Sequence, residues 1–172
     1  ANSTWMSRFT SLNDLVIAPH GKTTMSPQLF DLQIADGAWA ITVATVQQMQ
    51  VCLSFGLRRV LLANQLIGRR DIDFCLRALQ DPGLEIYCLL DSAAGLAALT
   101  EGLTRSAPPA GNPLRVLIEI GFTGGRAGSR SRKEALTLAR AVAAAPGLEL
   151  AGFECFEGLL PTADAAQELI DD

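Results

Sequence analysis

The sequence of 172 residues is 49% hydrophobic and 19% charged, a composition typical of a globular protein and not of a disordered chain. Its net charge of -4 gives no reason to expect a nucleic-acid partner, because phosphate binding needs clustered positive charge. The single histidine, His20, excludes a metal site built from several histidines of this sequence, and the four cysteines are too widely spaced to indicate a zinc ribbon.

Short aliphatic runs alternate with longer helical patterns along the chain, and this alternation predicts βαβ units with a parallel sheet. The runs are apolar without interruption, which indicates strands that are buried on both faces. After a first helical pattern over 2–9, the predicted strands are 15–18, 40–44, 59–63, 85–91, 115–120 and 149–154. The predicted helices are 27–35, 46–55, 69–79, 93–103, 132–144 and 163–170.

These six βα units suit either a doubly wound sheet or most of an eight-unit (β/α) barrel. Helical patterns stand at both ends of the sequence without polar tails, so we expect an incomplete TIM-type barrel that forms one partial domain over 1–172. No apolar run reaches the roughly 18 to 20 residues that a bilayer span requires. We therefore expect no membrane partner and a cytoplasmic location.

Reactive groups of parallel α/β proteins gather at the carboxyl ends of the strands. Lys22 follows the first predicted strand there, and a buried ammonium without a partner has a lowered pKa that makes the amine nucleophilic. Gly21 beside it would let a planar cofactor approach the backbone. The alternative is a lysine whose ammonium simply reaches solvent.

Four ordered blocks resemble one enzyme family. The segment 18–30, APHGKTTMSPQLF, resembles the cofactor-lysine motif of the D-threonine aldolase and D-serine dehydratase family, whose members are fold-type III barrels of the alanine racemase kind. The resemblance continues through DGAWAITVAT at 36–45 and VLLANQ at 60–65. It ends with EIG at 119–121 leading into GRAG at 125–128, so it spans most of the chain in order.

The resemblance implies pyridoxal phosphate held as a Schiff base on Lys22, which would also transfer the proton at the substrate α-carbon. His20 could orient the cofactor ring or could be a core histidine. Arg126 could hold the phenolic oxygen or a carboxylate through paired donors, or could be a surface arginine. Asn64 could line the mouth or only satisfy backbone groups. Related barrels also imply a homodimer.

This sequence departs from the family pattern in two ways. Ala18 stands where members commonly have arginine, and Thr24 and Met25 replace a His-Lys pair, so it looks like a subgroup similar to amino-acid or D-serine deaminases. The phosphate-binding loop, the ligands of any divalent metal and the closing β-domain would lie outside this sequence. We therefore expect no metal ligand here and no competent enzyme from these residues alone.

The predicted function is that of a lyase acting on a small D-amino acid, with a D-serine dehydratase reaction preferred. The alternatives are a D-threonine aldolase or racemase activity, and a non-catalytic pyridoxal-phosphate carrier. A glycine-rich turn at 121–128 also suggests dinucleotide binding, but that fingerprint normally follows the first strand of a sheet.

Overall fold

The computed structural model describes residues 2–109 and 111–171, where helices and strands alternate as the sequence predicts. The helices are α1 (Asn2–Leu12), α2 (Pro27–Ala35), α3 (Val46–Ser54), α4 (Arg69–Ala78), α5 (Ala93–Arg105), α6 (Arg132–Ala143) and α7 (Ala163–Asp171). The strands are β1 (Ile41–Val43), β2 (Arg59–Gln65), β3 (Glu85–Leu90), β4 (Leu114–Ile120) and β5 (Leu148–Cys155). A short 3-10 turn, Glu157–Leu159, follows β5.

The strands form one five-stranded sheet in the order β1-β2-β3-β4-β5, and every neighbouring pair is parallel. A doubly wound sheet reverses its strand order at a switch point, whereas a barrel adds each strand beside the last. The sequential order within the described residues therefore excludes the doubly wound alternative. The architecture is an incomplete (β/α) barrel, which confirms the predicted fold class.

The first predicted strand, 15–18, is not a regular strand. Its backbone still runs beside β1, since the Thr42 N–H donates to the Pro19 carbonyl and the Gly21 N–H to the Thr42 carbonyl, both at 2.8 Å. Only one bridge, between His20 and Thr42, results. Pro19 has no N–H with which to extend the ladder toward the amino end, so the first predicted strand becomes an extended segment.

Alternate residues of the strands face opposite sides of the sheet. Val60, Ile86, Val116 and Ile118 are fully buried and belong to the core that the helices cover. The residues that alternate with these along each strand face the concave side. The apolar runs thus supply both the helix-covered core and the floor of the candidate site.

The amino ends of the strands carry a polar cluster on the concave side. The Arg59 guanidinium bonds both carboxylate oxygens of Glu85, at 2.6 and 2.9 Å, and its carbon atom lies 4.9 Å from the Trp39 ring centroid. The Tyr87 hydroxyl donates to Glu85 at 2.9 Å. The side-chain hydrogen bonds from Arg59 lower the pKa of Glu85. These contacts link β2 to β3 at the end opposite the candidate site.

Asn112 ties the turn between α4 and β3 to the start of β4. It is 3% exposed, and its amide nitrogen donates to the carbonyl oxygens of Leu79, Asp81 and Leu84 at 2.9 to 3.0 Å. Its amide oxygen accepts from Arg115 at 3.2 Å. This one side chain therefore satisfies polar backbone groups that would otherwise be buried without donors.

Candidate active site

The carboxyl ends of the strands bring charged and polar side chains to one edge of the sheet. Lys22 lies in the loop that follows the first extended segment, and Arg126 lies in the loop that follows β4. The charges of both loops act on His20. The pKa of His20 is lowered by burial first, and then by the positive charges of Lys22 and Arg126. Three of the four predicted site residues therefore lie within electrostatic reach of one another.

The loop that carries Lys22 is fixed by close packing at Gly21. A Cβ atom at this position would lie 2.6 Å from Cε1 of Phe30 and 2.9 Å from Cγ2 of Ile41, so only glycine fits. The Met25 N–H closes the turn on the Gly21 carbonyl at 2.9 Å, and Met25 itself has a φ of 44°. The expectation that Gly21 leaves room for a cofactor is wrong, because protein side chains fill that space.

Lys22 is exposed in the described residues, so the expectation of a buried ammonium is also wrong. The reason is that Gly21 turns into the core and the chain then loops out above it. Lys22 does lie at the carboxyl edge of the sheet, as predicted. In the described part of the chain its side chain makes no hydrogen bond and no ion pair. Its amine is thus accessible to a reactant.

Gln65 joins three strands at this edge. Its side-chain amide donates to a carboxylate oxygen of Asp91 at 3.3 Å and to one of Glu119. Glu119 is 4% exposed, and burial raises its pKa, an effect that the Gln65 hydrogen bond opposes and the charge of Asp91 reinforces. Sequence reasoning missed this network, although the period of two along β4 places Glu119 on the concave face.

Glu154 stands opposite Glu119 on the neighbouring strand. The register of β4 and β5 shifts between Val116 and Leu117, and Gly152 has a φ of 144° there. This irregularity inserts one residue, which turns Phe153 outward and Glu154 toward the concave side. One Glu154 oxygen, Oε2, is buried without a hydrogen-bond partner within the described residues. A carboxyl pair therefore lies at the edge.

Burial raises the pKa of Glu154 to about 7, and the charge of Glu119 adds to the rise while Arg126 opposes it. Between the ordinary pKa of 4.5 and this value the folded protein binds more protons than the unfolded chain, so stability must fall as the pH rises. Glu154→Gln should reduce this fall and be more stable than wild type at about pH 8, by on the order of 1 kcal/mol after allowance for partial exposure.

Urea midpoints at about pH 5 and about pH 8 measure the effect. Glu168→Gln is the matched control, since Glu168 is exposed on α7, has no part in raising the pKa of Glu154 and should leave the decline intact. If Glu154→Gln keeps the wild-type decline, the assignment of the raised pKa to this carboxyl is wrong.

Arg126 lies in a loop that folds back on the end of β4. Its guanidinium carbon is 4.0 Å from the centroid of the Phe156 ring, which stacks on the cation. Gly121 and Gly128 are in backbone contact, since a Cβ at Gly128 would lie 2.4 Å from the Gly121 nitrogen. The glycines of this turn thus allow the chain to fold back on itself. Helix α6 does not begin at the turn but only after Ser131.

Asn64, the fourth predicted residue, bonds backbone groups at both ends of its side chain. Its amide nitrogen donates to the Ala44 carbonyl at 3.1 Å, and its oxygen accepts from the Gln65 N–H at 3.0 Å. These contacts agree with the second of the two roles that the sequence left open. A role in cofactor binding stays a prediction. Within the described residues, no group of three His, Cys, Asp or Glu side chains is arranged to hold a metal ion.

The sequential parallel strands, with a lysine loop and an arginine loop at their carboxyl ends, place this chain in the class of (β/α)-barrel proteins. No family model matches the sequence. The chain is 24% identical over 158 residues to a D-threonine aldolase of Arthrobacter sp, covering 92% of this chain and 40% of that protein. It is 25% identical over 150 residues to a 3-hydroxy-D-aspartate aldolase of Paracoccus denitrificans (strain Pd 1222), with 87% and 38% covered.

Solved structures agree with these relatives. The D-threonine aldolase from Filomicrobium marinum superposes with a TM-score of 0.80 at 26% identity, over 88% of this chain and 39% of that one. The D-threo-3-hydroxyaspartate dehydratase from Delftia sp. HT23 superposes with a TM-score of 0.79 at 25% identity, over 99% and 44%. A histidine racemase from Leuconostoc mesenteroides, at 18% identity and a TM-score of 0.67, shares the fold.

These comparisons confirm the resemblance that the motifs predicted: the chain is similar in sequence and in fold to proteins named D-threonine aldolase and 3-hydroxy-D-aspartate aldolase or dehydratase. The chain spans about two fifths of the length of the curated relatives it matches. In the described part of the chain, no helix is both long enough and apolar enough to cross a bilayer.

Proposed function

We propose that this chain is the lysine-bearing part of a pyridoxal-phosphate-dependent lyase that acts on a small β-hydroxy D-amino acid. The observation that carries the proposal is the position of Lys22. It lies in the PHGKTT motif, on a loop at the carboxyl edge of the sheet, in a homologue of enzymes named as D-amino-acid aldolases and dehydratases. Its exposed amine has no competing partner in the described residues.

The side chains at the edge fit this cofactor. Lys22 would attach it through Nζ, while His20 and the Arg126 guanidinium offer donors for its ring oxygen and for carboxylate. The unpartnered oxygen of Glu154 supplies a further polar partner, and Asn64 would lie at the rim. When bound, pyridoxal phosphate supplies an electron sink for negative charge that develops at the substrate α-carbon.

The residues of this chain would divide the remaining work. Lys22 Nζ would accept and return the proton at the substrate α-carbon. Glu154, whose pKa of about 7 lets it hold or release a proton near neutrality, would exchange a proton with the substrate β-hydroxyl. Gln65 would keep Glu119 and Asp91 in place below it through its two donated hydrogen bonds.

We prefer a dehydratase reaction on a D-serine-like substrate, and D-threonine aldolase activity is supported equally by the relatives. The carboxylates of Asp91, Glu119 and Glu154 at the edge favour a substrate with a neutral side chain, because a second substrate carboxylate would be repelled. A racemase activity and a non-catalytic cofactor carrier are the remaining candidates. We further propose a homodimer, a cytoplasmic location and, as in the prediction, metal ligands outside this sequence.

Product analysis of the full-length protein tests the proposal. Loaded with pyridoxal phosphate, it should release pyruvate and ammonia from D-serine, whereas glycine and an aldehyde from D-threonine would identify the aldolase. D-3-hydroxyaspartate should be the poorest of the three substrates. Formation of L-serine would identify a racemase. Cofactor attachment without turnover of any D-amino acid would identify a carrier and overturn the proposed reaction.

A further inference from the structure

The first turns of α3 contain three glutamines, of which Gln48 reaches the lysine loop. Its side-chain nitrogen donates to the main-chain carbonyl oxygen of Lys22 at 3.2 Å. Its side-chain oxygen accepts from the Ala44 N–H at 2.9 Å. Gln48 therefore connects the end of β1 to the backbone of the residue that bears the reactive amine.

The helix start holds this side chain in position. Thr45 is the N-cap of α3, and its hydroxyl accepts from the Gln48 N–H at 3.2 Å. Gln48 thus makes three hydrogen bonds, one through its main chain and two through its side chain. An amide is suited to this position because it donates at one end and accepts at the other.

Gln48 supplies the one bond to the Lys22 carbonyl seen in the described part of the chain. Gly21 is fixed by packing and by its bond to Thr42, and Met25 closes the turn, so Lys22 lies between two anchored residues. Without Gln48, its peptide group would be free to rotate between these anchors. Such a rotation would move the side chain by more than catalysis tolerates.

We propose that Gln48 is a positioning residue that sets the direction of the Lys22 amine by holding its main-chain carbonyl. The inference rests on the proposed function, in which Lys22 attaches pyridoxal phosphate. It concerns how readily the amine reaches the cofactor and not the later chemistry. The role therefore has a readout in cofactor attachment, apart from turnover.

Two substitutions separate positioning from folding. Gln48→Glu keeps an oxygen for the Ala44 N–H and keeps the Thr45 cap, but it cannot donate to the Lys22 carbonyl. Gln48→Ala removes both side-chain bonds. Gln47→Ala and Gln50→Ala are matched controls on the same helix, since both side chains are exposed and make no side-chain hydrogen bond in the described residues.

The experiment measures attachment of pyridoxal phosphate to each full-length apoprotein, by visible absorbance and by mass spectrometry after borohydride reduction. We expect both Gln48 variants to attach the cofactor about three- to tenfold more weakly, as loss of one hydrogen bond implies. The carboxylate in Gln48→Glu favours the charged ammonium, so its attachment midpoint should also move to higher pH. The controls should match wild type.

The outcomes are distinguishable. If Gln48→Glu folds like wild type and attaches the cofactor within about twofold of it with an unchanged pH midpoint, the positioning role is wrong. If Gln48→Glu loses stability but its folded fraction attaches the cofactor normally, Gln48 is structural only and the inference is also overturned. If wild-type protein attaches no cofactor at Lys22, the proposed function itself fails.

Discussion

Lys22→Ala is expected to abolish covalent attachment of pyridoxal phosphate to the full-length protein and to lower turnover by about 10³-fold or more. The amine is the group that bonds the cofactor, and no other side chain at the edge can replace it. The visible absorption band of the lysine-bound cofactor should disappear. Because Lys22 is exposed, its loss should leave the free energy of unfolding nearly unchanged.

The chain offers a matched control for this variant. Its other lysine, Lys133, is exposed in the first turn of α6, and Lys133→Ala should keep both the band and the turnover. Borohydride reduction of the wild-type protein followed by peptide mapping should place the cofactor on the peptide that contains Lys22. Retention of the band in Lys22→Ala would show that the cofactor is anchored elsewhere.

Asn112→Ala should lower the free energy of unfolding by about 2 to 3 kcal/mol, because it leaves several buried polar groups without their partner. The side chain serves three main-chain carbonyls and accepts from Arg115, and it is 3% exposed. Urea denaturation measures the change. A conservative check is Asn112→Asp, which keeps the size of the side chain but loses its donors and should be destabilised as well.

Asn64→Ala provides the comparison for Asn112. The exposed side chain of Asn64 donates to a single carbonyl, that of Ala44. Its loss should therefore lower the free energy of unfolding by about 0.5 to 1 kcal/mol. If the two alanine variants are equally stable, then the buried amide of Asn112 does not carry the stabilising role assigned to it.

Most of the fold could be predicted because its determinants are local. Ser26 followed by Pro27 marks the start of α2, and the structure begins that helix at Pro27. The apolar runs that predict β2 and β4 match the observed strands closely. The segment 15–18 could not be predicted correctly from hydrophobicity alone. It is extended, as its apolar residues indicate, but the missing N–H of Pro19 limits its pairing with β1.

The candidate site was predictable only in part, because it depends on register as well as on motifs. The motifs located Lys22 and Arg126. The pairing of Glu119 with Glu154 was not predictable, since the insertion at Gly152 decides which face each residue of β5 presents. The exposure of Lys22 could not be predicted either, because it follows from how closely Phe30 packs on Gly21.

The positions of the loop that carries Lys22 differ in how well they can accept a substitution. Gly21 accepts no other residue, because a single added methyl group would collide with the Phe30 ring. Thr23 and Thr24, which follow Lys22, are exposed, so side chains of other sizes fit at these two positions. Substitutions at the outer residues could thus change the surface around the Lys22 amine, while close packing at Gly21 holds the loop in its position above the sheet.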